Sequence, residues 1–229
     1  MRTEVLYDSD LLAQAAGDLV EETFSASSRP NVSIGLAGGS TPQAAYRLLA
    51  ERPLDWERAV LWLSDERWVA HDHPDSNGAT ILQTLASHVP ARFLRPRYSP
   101  HLNPSDSAAF YEAELRLLHG DDPPDLILLG MGADGHTASL FAGTAALETT
   151  SERIYVATNI PSLDVWRLTS TFPLLEQAER VVVLVSGAEK AETLAAVLKG
   201  PEDVYPIQRL LRLTTDVIFL VDQEAGSLL

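Results

Sequence analysis

Short apolar runs recur along the chain, each closed by glycine, hydroxyl or charged residues. Residues 60–63, 126–129, 181–185 and 217–221 are continuously apolar, and 32–36 is a further strand in which only Ser33 and Gly35 interrupt the aliphatic residues. Strands buried on both faces of a parallel sheet read this way. Residues 3–7, 153–158 and 166–172 are also strand-like; in the last of these, alternation sets Arg167, Thr169 and Thr171 on one face. Between the strands, apolar positions fall at helical spacing. Leu11, Leu12, Ala15, Leu19 and Phe24 follow a cap at Asp8 or Ser9. Tyr46, Leu48 and Leu49 follow Pro42, whose preset φ suits a first helical position. Ser76 or Asn77 caps a helix through Ile81 and Leu85. Phe110, Tyr111, Leu115 and Leu118 share one face of a helix over residues 105–119, and residues 186–190 open a helix through Leu198. Residues 94–104 are proline-rich and irregular. The alternation predicts an α/β fold: one domain over residues 1–229, with a mostly parallel, doubly wound sheet flanked by helices. No internal repeat or low-complexity segment interrupts it.

The polar residues concentrate where apolar runs end. The run 126–129 passes into Gly130, Gly132 and Gly135, then His136, with residues 137–141 expected to form a short helix. This sets an imidazole at the carboxyl edge of the sheet beside a helix N-terminus, where open α/β sheets bind ligands. The glycines also fit G-x-G-x-x-G, but no acid after the next apolar run stands ready to hold a ribose. A plain turn with a capping His is the other alternative. After residues 32–36 come Gly38, Gly39, Ser40 and Thr41, open to two readings: an anion cradle or an ordinary hydroxyl N-cap. After 60–63 come Asp65, Glu66 and Arg67, readable as a salt-bridged loop, and after 181–185 comes Lys190. His71 and His73 have no recognised ligand spacing, so no metal is expected. If the strands are parallel, these clusters share one edge.

Composition narrows the ligand. The 229 residues carry a formal net charge of −15, which argues against nucleic acid and anionic membrane as partners. Arginines and a lysine gathered at one edge of so acidic a protein imply a small anion, and a phosphate dianion fits best. There is no cysteine, so thiolate chemistry is excluded. No G-x-S-x-G elbow is present. His136 without an obvious nucleophile favours activated water, or proton transfer on a sugar phosphate. The N-terminus has no signal-like apolar core and no run is long enough to span a bilayer, so a cytoplasmic protein is expected, as a monomer or small homo-oligomer.

Taken together, G-G-S-T-P at 38–42, S-D-E-R at 64–67, D-S-N at 75–77, G-M-G-A-D-G-H-T-A-S-L-F at 130–141, R-L-T at 167–169 and S-G-A-E-K-A at 186–191 resemble the 6-phosphogluconolactonases. The resemblance implies a fold similar to glucosamine-6-phosphate isomerase/deaminase. It also implies hydrolysis of 6-phospho-D-glucono-1,5-lactone, the second step of the oxidative pentose phosphate pathway, without metal or cofactor. On that resemblance His136 is the general base, made neutral by the helix dipole. Gly38, Gly39, Ser40, Thr41, Arg167 and Lys190 hold the phosphate. Arg67 meets phosphate or the developing oxyanion, and Asp134, Asp65 and Glu66 orient or tune the site. Two departures stand out. Ala142 occupies a place where the family often has proline, and Pro206 is followed by Ile207, Gln208 and Arg209 rather than small residues, which weakens a binding role for that segment. Two alternatives stay open, an isomerase/deaminase and a non-catalytic sugar-phosphate sensor. The first lacks a carboxylate in Leu140-Phe141-Ala142-Gly143, and the second lacks a basic segment for DNA.

Overall fold

A computed structural model describes residues 1–149 and 152–229. Its strands are β1 Arg2–Leu6, β2 Val32–Leu36, β3 Ala59–Leu63, β4 Asp65–Arg67, β5 Arg92–Leu94, β6 Leu126–Gly130, β7 Tyr155–Ile160, β8 Val165–Ser170, β9 Arg180–Val185 and β10 Asp216–Asp222. The helices are α1 Ser9–Ala26, α2 Ser40–Ala50, α3 Asn77–Ile81, α4 Pro104–His119, α5 Phe172–Gln177 and α6 Ala191–Lys199. A π-helical turn, Leu82–Ala86, prolongs α3, and 3-10 turns occupy Trp56–Arg58, Ala188–Lys190 and Pro206–Arg212.

Seven strands pair in parallel in the order β1-β10-β9-β6-β2-β3-β5. The chain winds outward from β2 through β3 to β5, returns to β6 on the other side of β2, and winds outward again. The strand order therefore reverses between β2 and β6, the position where doubly wound sheets form their crevice. Both faces are covered. Val181, Val183, Val217 and Phe219 point to α4, α5 and α6, while Val182, Leu184, Ile218 and Leu220 point to α1 and α2. Gly35 in β2 has no side chain because Trp62 fills its place; a Cβ there would lie 2.6 Å from the indole. Among the described residues no helix is long and apolar enough to cross a membrane.

Several expectations need correction. A second sheet, β4-β8-β7, is antiparallel, so residues 65–67 are a strand and not a loop. Thr171 has left β8 to precede α5, where its hydroxyl donates to Arg153 O at 2.6 Å. Residues 92–94 form an edge strand ahead of the irregular segment. Pro42 is the third helical residue of α2, not the first. Leu11 and Phe110 are exposed; Ala13, Ala16 and Val20 take the inward positions on α1. Residues 137–141 are not helical: two turn residues separate a single bridge between Thr137 and Leu140. Thr137 Oγ1 instead donates back to Gly130 O at 2.9 Å, which folds the segment onto the strand it has just left.

Candidate active site

The carboxyl ends of β2, β3, β6 and β9 open into a cleft of about 330 Å³. Its walls include Gly38, Gly39, Ser40, Thr41, Asp65, Arg67, His136, Arg167 and Lys190. Glu66 and Asp134 do not line it. The segments 38–41, 64–67, 130–136 and 186–190 thus meet at one rim, because parallel strands bring every following loop to the same edge.

The 38–41 turn has no hydroxyl cap. Gly39, at φ 108°, precedes α2 and makes no side-chain cap. The first-turn N–H groups of Ser40 and Thr41 therefore open toward the cleft without intrahelical acceptors. Gly38 is required by a close approach: a Cβ there would lie 1.8 Å from Asn77 Oδ1. A second left-handed glycine, Gly187 at φ 98°, turns the chain out of β9 ahead of Lys190. Asp222 fixes this turn by accepting from the Gly187 N–H at 3.1 Å and from Ser186 Oγ.

Arg67 and Arg167 are directly opposed across β4 and β8. Like charges in that position repel. Burial, and then the Arg67 charge, hold Arg167 below the usual guanidinium range, with Asp65, Glu66 and Asp75 opposing. Arg167 Nε is buried and has no hydrogen-bond partner among the described residues. Among the described residues, none of Arg67, Arg167 and Lys190 forms a salt bridge, although the protein has 32 acidic residues. The cleft thus carries positive charge that these side chains do not neutralise within the protein.

Arg67 is nevertheless held in place. Its Nη1 donates to Asp75 O at 2.8 Å and to Asn77 Oδ1 at 2.5 Å. Asn77 Nδ2 donates to Asp65 O and Oδ1 at 2.8 and 3.1 Å, and Asp65 Oδ2 accepts from Ser139 Oγ at 2.7 Å. Asn77 thereby ties Gly38, Asp65 and Arg67 together. The sequence offered it as a candidate cap and as part of the D-S-N motif; Ser76 takes the cap, accepting from the Ala79 N–H at 3.0 Å, and leaves the amide free for Asp65 and Arg67. Glu66 is placed behind the cleft wall and not in it. Its buried carboxylate accepts from Arg67 N, Ser76 Oγ, Asn77 N and Gly78 N at 2.7 to 2.9 Å, anchoring the start of α3. Burial pushes that carboxyl up, and the hydrogen bonds pull against the shift.

His136 sits in a tight turn closed by Gly132 N–H to His136 O at 2.9 Å and Gly135 N–H to Gly132 O at 3.0 Å. Its ring stacks on Phe141, with centroids 3.9 Å apart and planes 21° apart. No helix begins here, so no dipole sets its charge. A carboxylate does the orienting: His136 Nδ1 lies 2.5 Å from Asp134 Oδ1. Burial would raise the Asp134 carboxyl, but hydrogen bonding and charge from His136 outweigh it and hold the group low. An ionised carboxylate only accepts, so Nδ1 carries the hydrogen, and in the neutral imidazole Nε2 is then the accepting nitrogen. His71 and His73 stay apart from this cleft, and among the described residues no group of three or more His, Asp or Glu side chains converges as a metal site.

Fold and site together define a doubly wound α/β protein with a cleft lined by Arg67, Arg167 and Lys190 and one carboxylate-oriented histidine. The chain belongs to the family described as Glucosamine-6-phosphate isomerases/6-phosphogluconolactonase, which it matches over residues 7–219. It is 36% identical to the 6-phosphogluconolactonase of Synechocystis sp., over 99% of this chain and 97% of that one. It is 34% identical to that of Nostoc sp., over 98% and 96%. Among solved structures, 6-phosphogluconolactonase from Trypanosoma cruzi superposes with a TM-score of 0.89 at 29% identity, covering 99% of this chain and 96% of that one. A monomeric glucosamine-6-phosphate deaminase superposes with a TM-score of 0.84 at 25% identity, covering all of both chains.

Proposed function

We propose that this chain hydrolyses 6-phospho-D-glucono-1,5-lactone to 6-phosphogluconate, with His136 activating water. One observation carries the reading. A single cleft joins three cations without carboxylate partners to a His–Asp pair whose Nε2 is free to accept a proton. The α2 N-terminus at Ser40 and Thr41, with Arg167 and Lys190, holds the phosphate. Binding there, away from the reacting carbon, positions the lactone. His136 Nε2 takes a proton as water adds to C1. Arg67, whose Nε and Nη2 make no protein hydrogen bond among the described residues, faces the oxyanion of the tetrahedral intermediate. The intermediate collapses, the bond from C1 to the ring oxygen breaks, and the imidazolium returns its proton to that oxygen. The new carboxylic acid then ionises in solvent. Asp134 fixes the imidazole tautomer and stabilises the imidazolium, while Asp65 and Glu66, through Asn77 and the start of α3, hold the Arg67 strand in place.

The relatives' shared name supports the lactone as substrate. Deaminase chemistry is less well served, since Leu140 to Gly143 offers no carboxylate. The test is His136→Ala, assayed for 6-phosphogluconate release above spontaneous hydrolysis. Turnover should fall by at least about a hundredfold while 6-phosphogluconate still protects the variant against heat. An unimpaired variant removes His136 from the mechanism, and ammonia release from glucosamine 6-phosphate by the wild type revives the deaminase.

A further inference from the structure

We propose that Tyr205 is a positioning residue for His136, acting through the turn at Gly135. The inference rests on the reading of His136 as proton acceptor. Gly135 adopts φ 73°, and a Cβ there would lie 2.5 Å from Tyr205 Cδ1 and 2.8 Å from its Cβ. The phenol ring thus lies flush against the backbone that delivers His136, in space that only glycine leaves open. Two residues further on, Ile207 N–H donates to Gly135 O at 3.0 Å. One short segment therefore grips the residue before His136 both by packing and by a backbone hydrogen bond.

The grip has a rigid root. Gln208 Oε1 accepts from Val204 N and Tyr205 N at 2.8 and 2.9 Å, and its Nε2 donates to Val197 O and Pro201 O at 3.2 and 2.8 Å. Ile207 and Leu210 are buried in the core, and the Arg209 guanidinium lies 4.4 Å from the Phe172 ring centroid. Pro206 restricts the backbone between Tyr205 and Ile207. Tyr205 lines a separate cavity of about 720 Å³ and not the substrate cleft, so it touches no substrate. The His136 turn has no helix to stiffen it; the 205–208 segment supplies the stiffness from outside.

The test compares Tyr205→Ala with Tyr205→Phe. No hydrogen bond joins the Tyr205 hydroxyl to another described residue, so the ring alone should suffice. Tyr205→Ala should lower kcat about 10- to 100-fold with KM within about twofold, because a misplaced general base loses the transition state and not the phosphate contacts. Tyr205→Phe should keep kcat. Amide exchange at Gly132 and Ile207 should accelerate about tenfold or more in Tyr205→Ala and stay slow in Tyr205→Phe. Gly135→Ala should be less damaging in the Tyr205→Ala background than in the wild type. Wild-type kcat in Tyr205→Ala, equal loss in both variants, or unchanged exchange overturns the proposal. Should Tyr205→Ala fail to fold, Tyr205→Phe and the exchange of Tyr205→Leu decide it. If the wild type hydrolyses no lactone, the proposed activity falls, yet the exchange data still judge the brace.

Discussion

Gly132→Ala probes the His–Asp pair without removing either partner. A Cβ at Gly132 would lie 2.2 Å from His136 Nδ1, 2.3 Å from Cε1 and 2.6 Å from Asp134 Oδ1. Against an ordinary contact of 3.4 Å the ring is about 1.2 Å too close. The methyl must therefore push the imidazole, the carboxylate or both aside by roughly an ångström, at the hydrogen bond that fixes the tautomer. Gly132 does not adopt a left-handed φ, so alanine adds no backbone strain. The Asp134 side chain is 60% exposed and that of His136 27%, so both can swing toward solvent at little cost in stability. Displacing a general base by about 1 Å costs on the order of a hundredfold, or about 2.7 kcal/mol of transition-state stabilisation. The 38–41 turn and Lys190 are untouched, so KM should stay within about threefold. The assay follows 6-phosphogluconate through its coupled oxidation, with the spontaneous rate subtracted, alongside a thermal melt. A kcat within about threefold of wild type would refute the role assigned to the pair. A collapse in Tm would show that the turn, and not the two side chains, absorbs the methyl.

Arg167→Gln should separate stability from binding: it removes a charge that faces Arg67 without a carboxylate partner. The free protein should melt no lower than wild type, while KM rises about 10- to 100-fold; a lower Tm with unchanged KM would make Arg167 structural. His119 lies at the opposite edge of the sheet, its Nε2 accepting from Ser33 Oγ at 2.8 Å while Ser33 accepts from Trp62 Nε1 at 2.9 Å. Burial lowers its pKa from 6.5 to about 4, with Asp125 opposing and Arg29 assisting. The folded state therefore refuses a proton that the unfolded chain accepts, so this contribution is present above pH 6.5 and is lost as pH falls toward 4. The loss amounts to on the order of 3 kcal/mol. Urea melts of His119→Gln should show a flatter acid limb than wild type, and an identical limb would exclude His119 as its source.

Strand ends were legible because burial on both faces writes an unmistakable apolar run, and parallel pairing then dictates that their loops converge. In the small sheet β7 and β8 were legible as strands, but β4 was not. The strand Asp65–Arg67 is three residues long and all polar, and what makes it a strand is the distant Thr169, Leu168 and Arg167. The turn after His136 misled for a related reason. Thr137 to Phe141 has helical composition, yet the Thr137 hydroxyl and the Ser139 tie to Asp65 bend it elsewhere. Asn77 and Glu66 stood within sequence motifs, but their partners, ten to twelve residues away, were not legible, and Tyr205 acts on a turn about seventy residues earlier. Tyr205 had a faint sign: the departure at residues 206–209 marked the segment as unlike a ligand loop.

The absence of a helix after residue 136 has an evolutionary consequence. On the proposed reading the two duties of the cleft rest on largely separate scaffolding: recognition of the anionic handle after β2 and β9 and on β8, proton transfer on a short detour after β6. A lineage can rewrite the detour and its outside support while inheriting the handle-binding half intact. Divergence into distinct reactions on a common class of metabolites then needs few substitutions, and those few lie within one loop and the segment leaning against it.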